Sequence, residues 1–515
     1  MEHNLGSMLS KRAFLSPELE AYVDSTGEER LTYKELNENC NRLAHAIKEL
    51  GINKGDRVGL LLMNSSEFME AYYALAKLGA VVVPLNWRLV ADELEYILKD
   101  SGTTLLIFDD DFLSVVNDLQ SRGDRTDIRH WLQVERGLEL GEFAKSYHEV
   151  RSTGSIDEPN VIAGGKDMLY IMYTSGTTGL PKGVVHTHDT AIWGVLTIAA
   201  TTYYHEYDRY LAALPMFHVG ALTPLAVNVY RGATSVVMRS FDPKLAWELI
   251  AKEQINTGLM VPAMLNFMLQ VDNFKTLYDF SNLRWIMTGA APVPIALTES
   301  YLALGINILQ VYGMTETCGP ACLMDSANVK RIPGSTGKSF FHTEVRVVSE
   351  NGEDCFPGDP GEVWVAGLHV MKEYWNNIQA TENTLVDGWL RTGDIAIMDK
   401  DGYVFIQDRL KDMIISGGEN VYPAEIEAVL MTHPEILEAA VIGQASEKWG
   451  ESPLAIVVRD NESLTGSSVI EFCDGKLANY KRPKDVRFID EIPRNPSGKI
   501  LKRLLREQFP EQAVE

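Results

Sequence analysis

The stretch from Val58 to Val83 constrains the fold more than any other part of this sequence. Residues 58–63 form an apolar run of strand length, and Asn64-Ser65-Ser66 supply helix-capping side chains. The helix that follows runs to Leu78, Gly79 stops it, and Val81-Val82-Val83 open a second strand. Strand, helix and strand in that order make a βαβ unit, whose two strands lie parallel in one sheet. Apolar runs at 104–108, 236–238 and 257–261 repeat the theme, so an α/β fold built on large parallel or mixed sheets is expected. Just upstream, a helix is expected from Leu31 to Gly51. Thr32 and Glu35 form a capping box there, and Leu36, Cys40, Leu43, Ala44, Ile47 and Leu50 recur at helical spacing.

A chain of 515 residues exceeds one hydrophobic core, since domains hold roughly 100–200 residues. Beyond Glu350 the texture turns to turn-rich β structure, with Asn351-Gly352, Asp387-Gly388 and Asp401-Gly402 between short apolar runs. A charged segment at 408–412 marks a further break, after which a helix at 425–431 and a strand at 439–442 suit a small α+β domain. The expected division is a large N-terminal part of several subdomains, residues 1–410, and a small mobile C-terminal domain, residues 411–515.

Charge narrows the partners. Lys and Arg number 47 against 71 Asp and Glu, a net −24 that repels a nucleic-acid backbone, while a local cradle of N–H groups can still take an anionic small molecule. With no polybasic patch, membrane contact is expected to be weak and peripheral at most. The uncharged stretch 210–230 reaches the roughly 20 residues that a bilayer span needs. Pro215, His218, Pro224 and Asn228 interrupt it, so it is read as buried core. The five cysteines are an odd number and mostly far apart in sequence, which points to a reducing compartment, and the lack of a Cys-x-x-Cys pair argues against zinc. The N-terminus lacks a leader pattern, so a cytoplasmic location is expected; homodimerisation is left open.

The strongest local signal is Tyr173-Thr174-Ser175-Gly176-Thr177-Thr178-Gly179-Leu180-Pro181-Lys182-Gly183, directly after an apolar strand at 169–172. Its glycines let the backbone approach a polyanion, its hydroxyls and N–H groups donate to phosphate oxygens, and Lys182 adds a point charge. It is not a Walker A loop, because Lys182 is followed by Gly183 rather than Ser or Thr. A plain surface turn explains neither four hydroxyls in five positions nor the lysine.

Four further motifs follow in order: Tyr312-Gly313-Met314-Thr315-Glu316; Arg391-Thr392-Gly393-Asp394; Arg409-Leu410-Lys411-Asp412, continuing to Gly417-Gly418-Glu419-Asn420; and Asn495-Pro496-Ser497-Gly498-Lys499. In this order the chain resembles the adenylate-forming acyl-CoA synthetase superfamily over nearly its whole length. In wording it is most similar to bacterial long-chain and very-long-chain fatty-acyl-CoA synthetases. The resemblance implies an ATP-, Mg²⁺- and CoA-dependent enzyme working in two half-reactions. A carboxylate attacks the α-phosphate of ATP to give acyl-AMP and pyrophosphate, and the thiol of CoA then displaces AMP.

Residue by residue, the resemblance implies that Glu316 holds the Mg²⁺ that bridges ATP phosphates, with Thr315 and a loop hydroxyl such as that of Thr174 beside it. Asp394 takes the ribose hydroxyls and Arg409 makes a second contact to the ribose and phosphate side. Tyr312 stacks on adenine, with Gly313 beside it and Gly289-Ala290-Ala291-Pro292 as a close backbone wall. His218 lines the carboxylate end of an acyl pocket that includes Trp193, Gly220 and Cys318. Lys499 approaches the acyl carboxylate and the α-phosphate, Lys411 is the hinge of a rotating small domain, and Gly417 and Gly418 line the pantetheine channel. Taken singly, Glu316 is a loop glutamate, Asp394 a turn cap, His218 a core histidine and Lys499 one lysine of a basic tail; the motif order decides. Because the substrate carboxylate is itself the nucleophile, no Ser-His-Asp or Cys-His arrangement is required.

The expected activity is that of a fatty-acid–CoA ligase. The pocket residues suit an aryl acid of cinnamate or benzoate type equally, so an aryl-acid–CoA ligase is the alternative. Transfer to a carrier protein and oxidation of the adenylate are weaker readings, since no carrier-like domain or peroxisomal signal is seen at the Glu515 end. A non-catalytic nucleotide-binding module is the alternative of another class; retention of Lys499, Glu316 and Asp394 argues against it.

Overall fold

A computed structural model of the chain describes residues 4–510 apart from 161–162, 175–180, 206, 291–292, 410–411, 417–418, 447–448, 475, 478, 480 and 495–499. The βαβ unit is present as read. Strand Arg57–Leu61 and strand Val81–Pro84 pair in parallel across helix Ser66–Leu78. Ser65 caps that helix by accepting the Phe68 N–H at 3.3 Å, and Gly79 ends it at φ +79°, a conformation open to glycine at no steric cost. The helix expected from Leu31 begins instead at Tyr33, because Arg30–Thr32 is a strand and Thr32 is the cap; the capping box with Glu35 is formed.

Eight strands make one sheet, in the order Glu373–Tyr374, Lys182–Thr187, Met168–Thr174, Val81–Pro84, Arg57–Leu61, Thr103–Asp109, His130–Val134, Lys145–Ser146. Nine make a second: Lys338–Ser339, Cys322–Leu323, Asn307–Tyr312, Trp285–Gly289, Thr257–Met260, Arg209–Ala212, Thr234–Val237, Glu20–Asp24, Arg30–Thr32. Both are parallel through their middles and antiparallel at an edge. Strand alternation builds the layers between and around them. Leu60, Leu105 and Ile107 of the first sheet share one core with Tyr22, Tyr210, Met287 and Leu309 of the second. Their neighbours Leu61, Leu106 and Phe108 face outward from the first sheet, as Val23, Leu211, Ile286 and Ile308 do from the second. Helices Leu5–Leu15, Tyr33–Glu49, Ser66–Leu78, His188–Thr201 and Val219–Arg231 fill the shared core. The stretch 210–230 thus resolves into a short strand and a helix. No helix among the described residues is long and apolar enough to cross a membrane.

Every residue of helix Ser66–Leu78 is buried, including three that carry charge. Each is met by a partner. Glu67 accepts from Arg136 at 2.6 Å, and Glu70 from Arg151 and the Tyr147 hydroxyl at 2.7 and 2.8 Å. Lys77 donates to Asn37, Asn41 and Glu158 at 2.6, 2.6 and 2.9 Å. The N-terminal helix is tied down by Arg12, which donates to the carbonyls of Val229 and Tyr230.

A third sheet is antiparallel: Glu344–Val348, Pro360–Ala366, Trp389–Met398 and Leu385–Val386, with Val404–Arg409 also pairing on Trp389–Met398. A fourth holds Glu419–Val421, Ile414–Ser416, Gly450–Arg459, Ile436–Ser446 and Asp485–Phe488 around a separate core that includes Ile414, Ile426, Val441 and Val457. All five cysteines are free thiols.

Candidate active site

The phosphate-type loop joins strands Met168–Thr174 and Lys182–Thr187, with Thr174 opposite Lys182 in an antiparallel pair. Ser175, Gly176, Thr177, Thr178 and Gly179 lie outside the described residues. The Lys182 ammonium stands 5.1 Å from the centroid of the Tyr374 ring. Tyr374 belongs to the edge strand that pairs with Lys182–Thr187, opposite Val184. Its hydroxyl donates to Glu316 Oε1 at 2.7 Å, and burial keeps the phenol protonated by raising its pKa. Lys182 and Glu316, from separate motifs, are therefore brought to one side chain.

Glu316 sits in a tight turn, Thr315–Thr317, and four carbonyls in the turn and just after it are held by other segments. The Thr315 carbonyl accepts from His186 Nε2 at 2.8 Å and that of Glu316 from the Met371 N–H at 2.7 Å. The Cys318 carbonyl accepts from the Thr223 hydroxyl at 2.9 Å and that of Pro320 from His369 Nε2 at 3.0 Å. A carbonyl can only accept, so both imidazoles carry their proton on Nε2. Burial lowers both to a pKa of about 4, which leaves them neutral. His186 Nδ1 then accepts from the Thr190 hydroxyl at 2.9 Å. Gly313 is required by close packing, since a Cβ there would lie 1.5 Å from the Gly319 carbonyl oxygen. Sequence reasoning missed His186, His369 and Tyr374, none of which lies in a quoted motif; His186 was within reach, four residues beyond Lys182 on a strand with apolar neighbours.

On the nucleotide side, the Tyr312 hydroxyl at the end of Asn307–Tyr312 donates to Asp394 Oδ2 at 2.7 Å. Asp394 is 9% exposed and follows Gly393 at φ +70°. Its N–H is taken by the Thr392 hydroxyl at 3.1 Å, and its cross-strand backbone partner is Arg409. Gly289 packs against the Val311 carbonyl, which a Cβ would approach to 2.2 Å. Ala290 takes φ +67°, a left-handed conformation that costs a non-glycine residue on the order of 1 kcal/mol. Ala291 lies outside the described residues, as do Lys411, Gly417, Gly418 and Lys499.

His218 is the first residue before helix Val219–Arg231, with its ring 4.4 Å from that of Phe217. Its Nε2 is buried with no hydrogen-bond partner. Burial first, and the nearby charge of Arg88 second, lower its pKa to about 4. An unpartnered imidazole nitrogen at a helix N-terminus suits a carboxylate. Gly220 leaves space beside Leu214 and Leu259, at 3.4 and 3.9 Å from a Cβ placed on it. Cys318 Sγ lies 2.9 Å from where a Cβ on Gly194 would stand, next to Trp193, whose ring packs edge-on against His342 at 5.3 Å. A cavity of about 360 Å³, lined by Leu302, Ile308, Gln310, Met324 and Lys330 among others, touches none of the expected site residues.

Among the described residues, no group of three or more His, Cys, Asp or Glu could hold a metal ion. Mg²⁺ commonly binds through one or two carboxylates and substrate phosphates, and Glu316 fits that mode: Tyr374 occupies Oε1, and no described residue hydrogen-bonds Oε2.

Two layered α/β sheets and an antiparallel unit, joined by the Lys182–Tyr374–Glu316 and Tyr312–Asp394 contacts, define an adenylate-forming enzyme. The chain belongs to the AMP-binding enzyme family: that family's model matches residues 9–375, and the AMP-binding enzyme C-terminal domain matches residues 425–499. It is 46% identical over 507 residues to the long-chain-fatty-acid–CoA ligase FadD13 of Mycobacterium tuberculosis (strain ATCC 25618 / H37Rv), covering 98% of each chain. A feruloyl-CoA synthase of an Amycolatopsis species is 37% identical over 507 residues, covering 98% of this chain and 99% of the other. The solved structure of a Mycobacterium tuberculosis fatty acyl CoA synthetase matches with a TM-score of 0.80 at 45% identity, covering 98% of both chains.

Proposed function

We propose that the protein is an AMP-forming fatty-acid–CoA ligase, an acid–thiol ligase that activates a medium- to long-chain acid with ATP and passes the acyl group to CoA. The observation that carries the reading is the convergence of Lys182 and Glu316 on Tyr374, beside a Tyr312–Asp394 pair suited to a nucleoside. In the first half-reaction an oxygen of the acid attacks the α-phosphorus and pyrophosphate leaves. His218 Nε2–H orients the carboxylate, Lys182 and the Thr174 loop bind phosphate oxygens, and Asp394 accepts from the ribose hydroxyls. Glu316 with the phosphate oxygens would hold Mg²⁺, which supplies charge neutralisation when bound. In the second half-reaction the deprotonated CoA thiol attacks the acyl carbon and AMP leaves. Lys499 serves the first step and Gly417 and Gly418 the second, with the change between them absorbed at Lys411, between domains 1–410 and 411–515.

Pyrophosphate release measured across octanoate, palmitate and coumarate, with and without CoA, tests this. Release with the fatty acids at the higher kcat/KM is expected; none with any acid would refute the ligase reading. The feruloyl-CoA synthase relative favours one second reading, an aryl-acid–CoA ligase, which coumarate at the highest kcat/KM would establish instead.

A further inference from the structure

Tyr374 has two unlike partners, an ammonium over its ring and a carboxylate on its hydroxyl. Its position is fixed by the segment around it. The Met371 N–H bonds the Glu316 carbonyl, and the Trp375 N–H bonds the Gly183 carbonyl at 2.7 Å. The Thr381 hydroxyl accepts from the Tyr374 N–H at 2.9 Å. Five consecutive residues thus clamp the Glu316 turn to the strand that leaves the phosphate loop. Among the described residues no ion pair joins Lys182 to Glu316, and Tyr374 contacts both.

We infer that Tyr374 is a positioning residue for nucleotide activation. Its hydroxyl fixes which way the Glu316 carboxylate points, and its ring holds the Lys182 ammonium apart from that carboxylate. The inference rests on the proposal above that Glu316 and Lys182 form the metal–phosphate site. A charge-assisted O–H···O⁻ bond to Oε1 selects one carboxylate orientation and leaves Oε2 open to a cation. A cation over an aromatic face is stabilised without being neutralised. In direct contact, Lys182 and Glu316 would cancel each other, and neither charge would serve its own ligand.

Calorimetric titration of the full chain with ATP, without acid or CoA and with or without Mg²⁺, tests the inference. Tyr374→Phe keeps the ring and loses the hydroxyl. Its Mg²⁺-free Kd is expected within about twofold of wild type, while the tightening that Mg²⁺ brings falls about tenfold, the size of one hydrogen bond to a charged group. Tyr374→Leu is expected to weaken Mg²⁺-free binding as well; should it fail to fold, Tyr374→Phe decides alone, since it preserves the packing. Glu316→Gln is the control. If it keeps the Mg²⁺ tightening, the metal reading of Glu316 falls and this inference falls with it. If it abolishes the tightening while Tyr374→Phe retains it in full, the site stands and the role of Tyr374 is overturned.

Discussion

Asp394 shows how one side chain can be structural and functional together. Its carboxylate accepts from Tyr312, and the two oxygens of a carboxylate can take several donors at once, which is what binding a ribose would use. Asp394→Ala removes both and leaves the tyrosine hydroxyl without its acceptor, whereas Tyr312→Phe removes only the internal bond. We expect Asp394→Ala to raise the KM for ATP by about tenfold or more, the worth of one charged hydrogen bond, and Tyr312→Phe by less than about threefold. Steady-state kinetics at saturating acid would measure both, and equal effects would assign Asp394 a purely structural role. Asp394, Tyr312, Glu316 and Lys182 are legible in the sequence because each stands in a short motif whose residue types suit a nucleotide. Tyr374, His186 and His369 are not, because each works through a contact between distant segments: Tyr374 reaches a carboxylate 58 residues away and His186 a carbonyl 129 away. No local pattern encodes such a pairing.

At the scale of elements, the sequence exposes the βαβ unit well and its charges poorly. Apolar spacing and caps locate helix Ser66–Leu78 to within a residue or two, but no local pattern marks Glu67, Glu70 and Lys77 as buried, and all three are. Their partners come from segments that packing alone brings near, Arg136, Arg151 and Glu158. The helix therefore depends on its neighbours more than its propensity suggests. Arg136 meets both Glu67 and Asp109, so Arg136→Ala takes the nearest guanidinium from two buried carboxylates, leaving Asp109 with Arg239 at 3.4 Å and Glu67 with the Ser66 hydroxyl at 3.4 Å. A loss of about 3–5 kcal/mol is expected in urea unfolding, against less than about 0.5 kcal/mol for Lys244→Ala on the exposed face of its helix. A loss below about 1 kcal/mol for Arg136→Ala would show that water reaches these groups.

For the whole molecule, the α/β class and the late β-rich texture are readable from strand runs and turn pairs, while the stacking of two sheets on one shared set of helices is not. Which face of a strand meets which sheet depends on long-range register. The boundary proposed at residue 410 makes its own prediction. The first three sheets and their cores lie before it and the fourth lies after it, so residues 1–410 expressed alone should unfold cooperatively and bind ATP yet release no pyrophosphate with acid. Loss of cooperative unfolding would place the boundary elsewhere.

The N-terminal segment carries a consequence for synthesis. Strand Glu20–Asp24 has its parallel neighbour at Thr234–Val237, and helix Leu5–Leu15 is held by carbonyls at 229 and 230. Strand Glu20–Asp24 also pairs with Arg30–Thr32, and the helix packs on Tyr33–Glu49 and Ser66–Leu78, so during translation one part of this segment's contacts is available early and the other waits for residues 229–237. The strand pairs within residues 57–109 are all local, whereas the segment before residue 25 reaches its full set of contacts only once residues 229–237 are made, and its parallel edge is open until then.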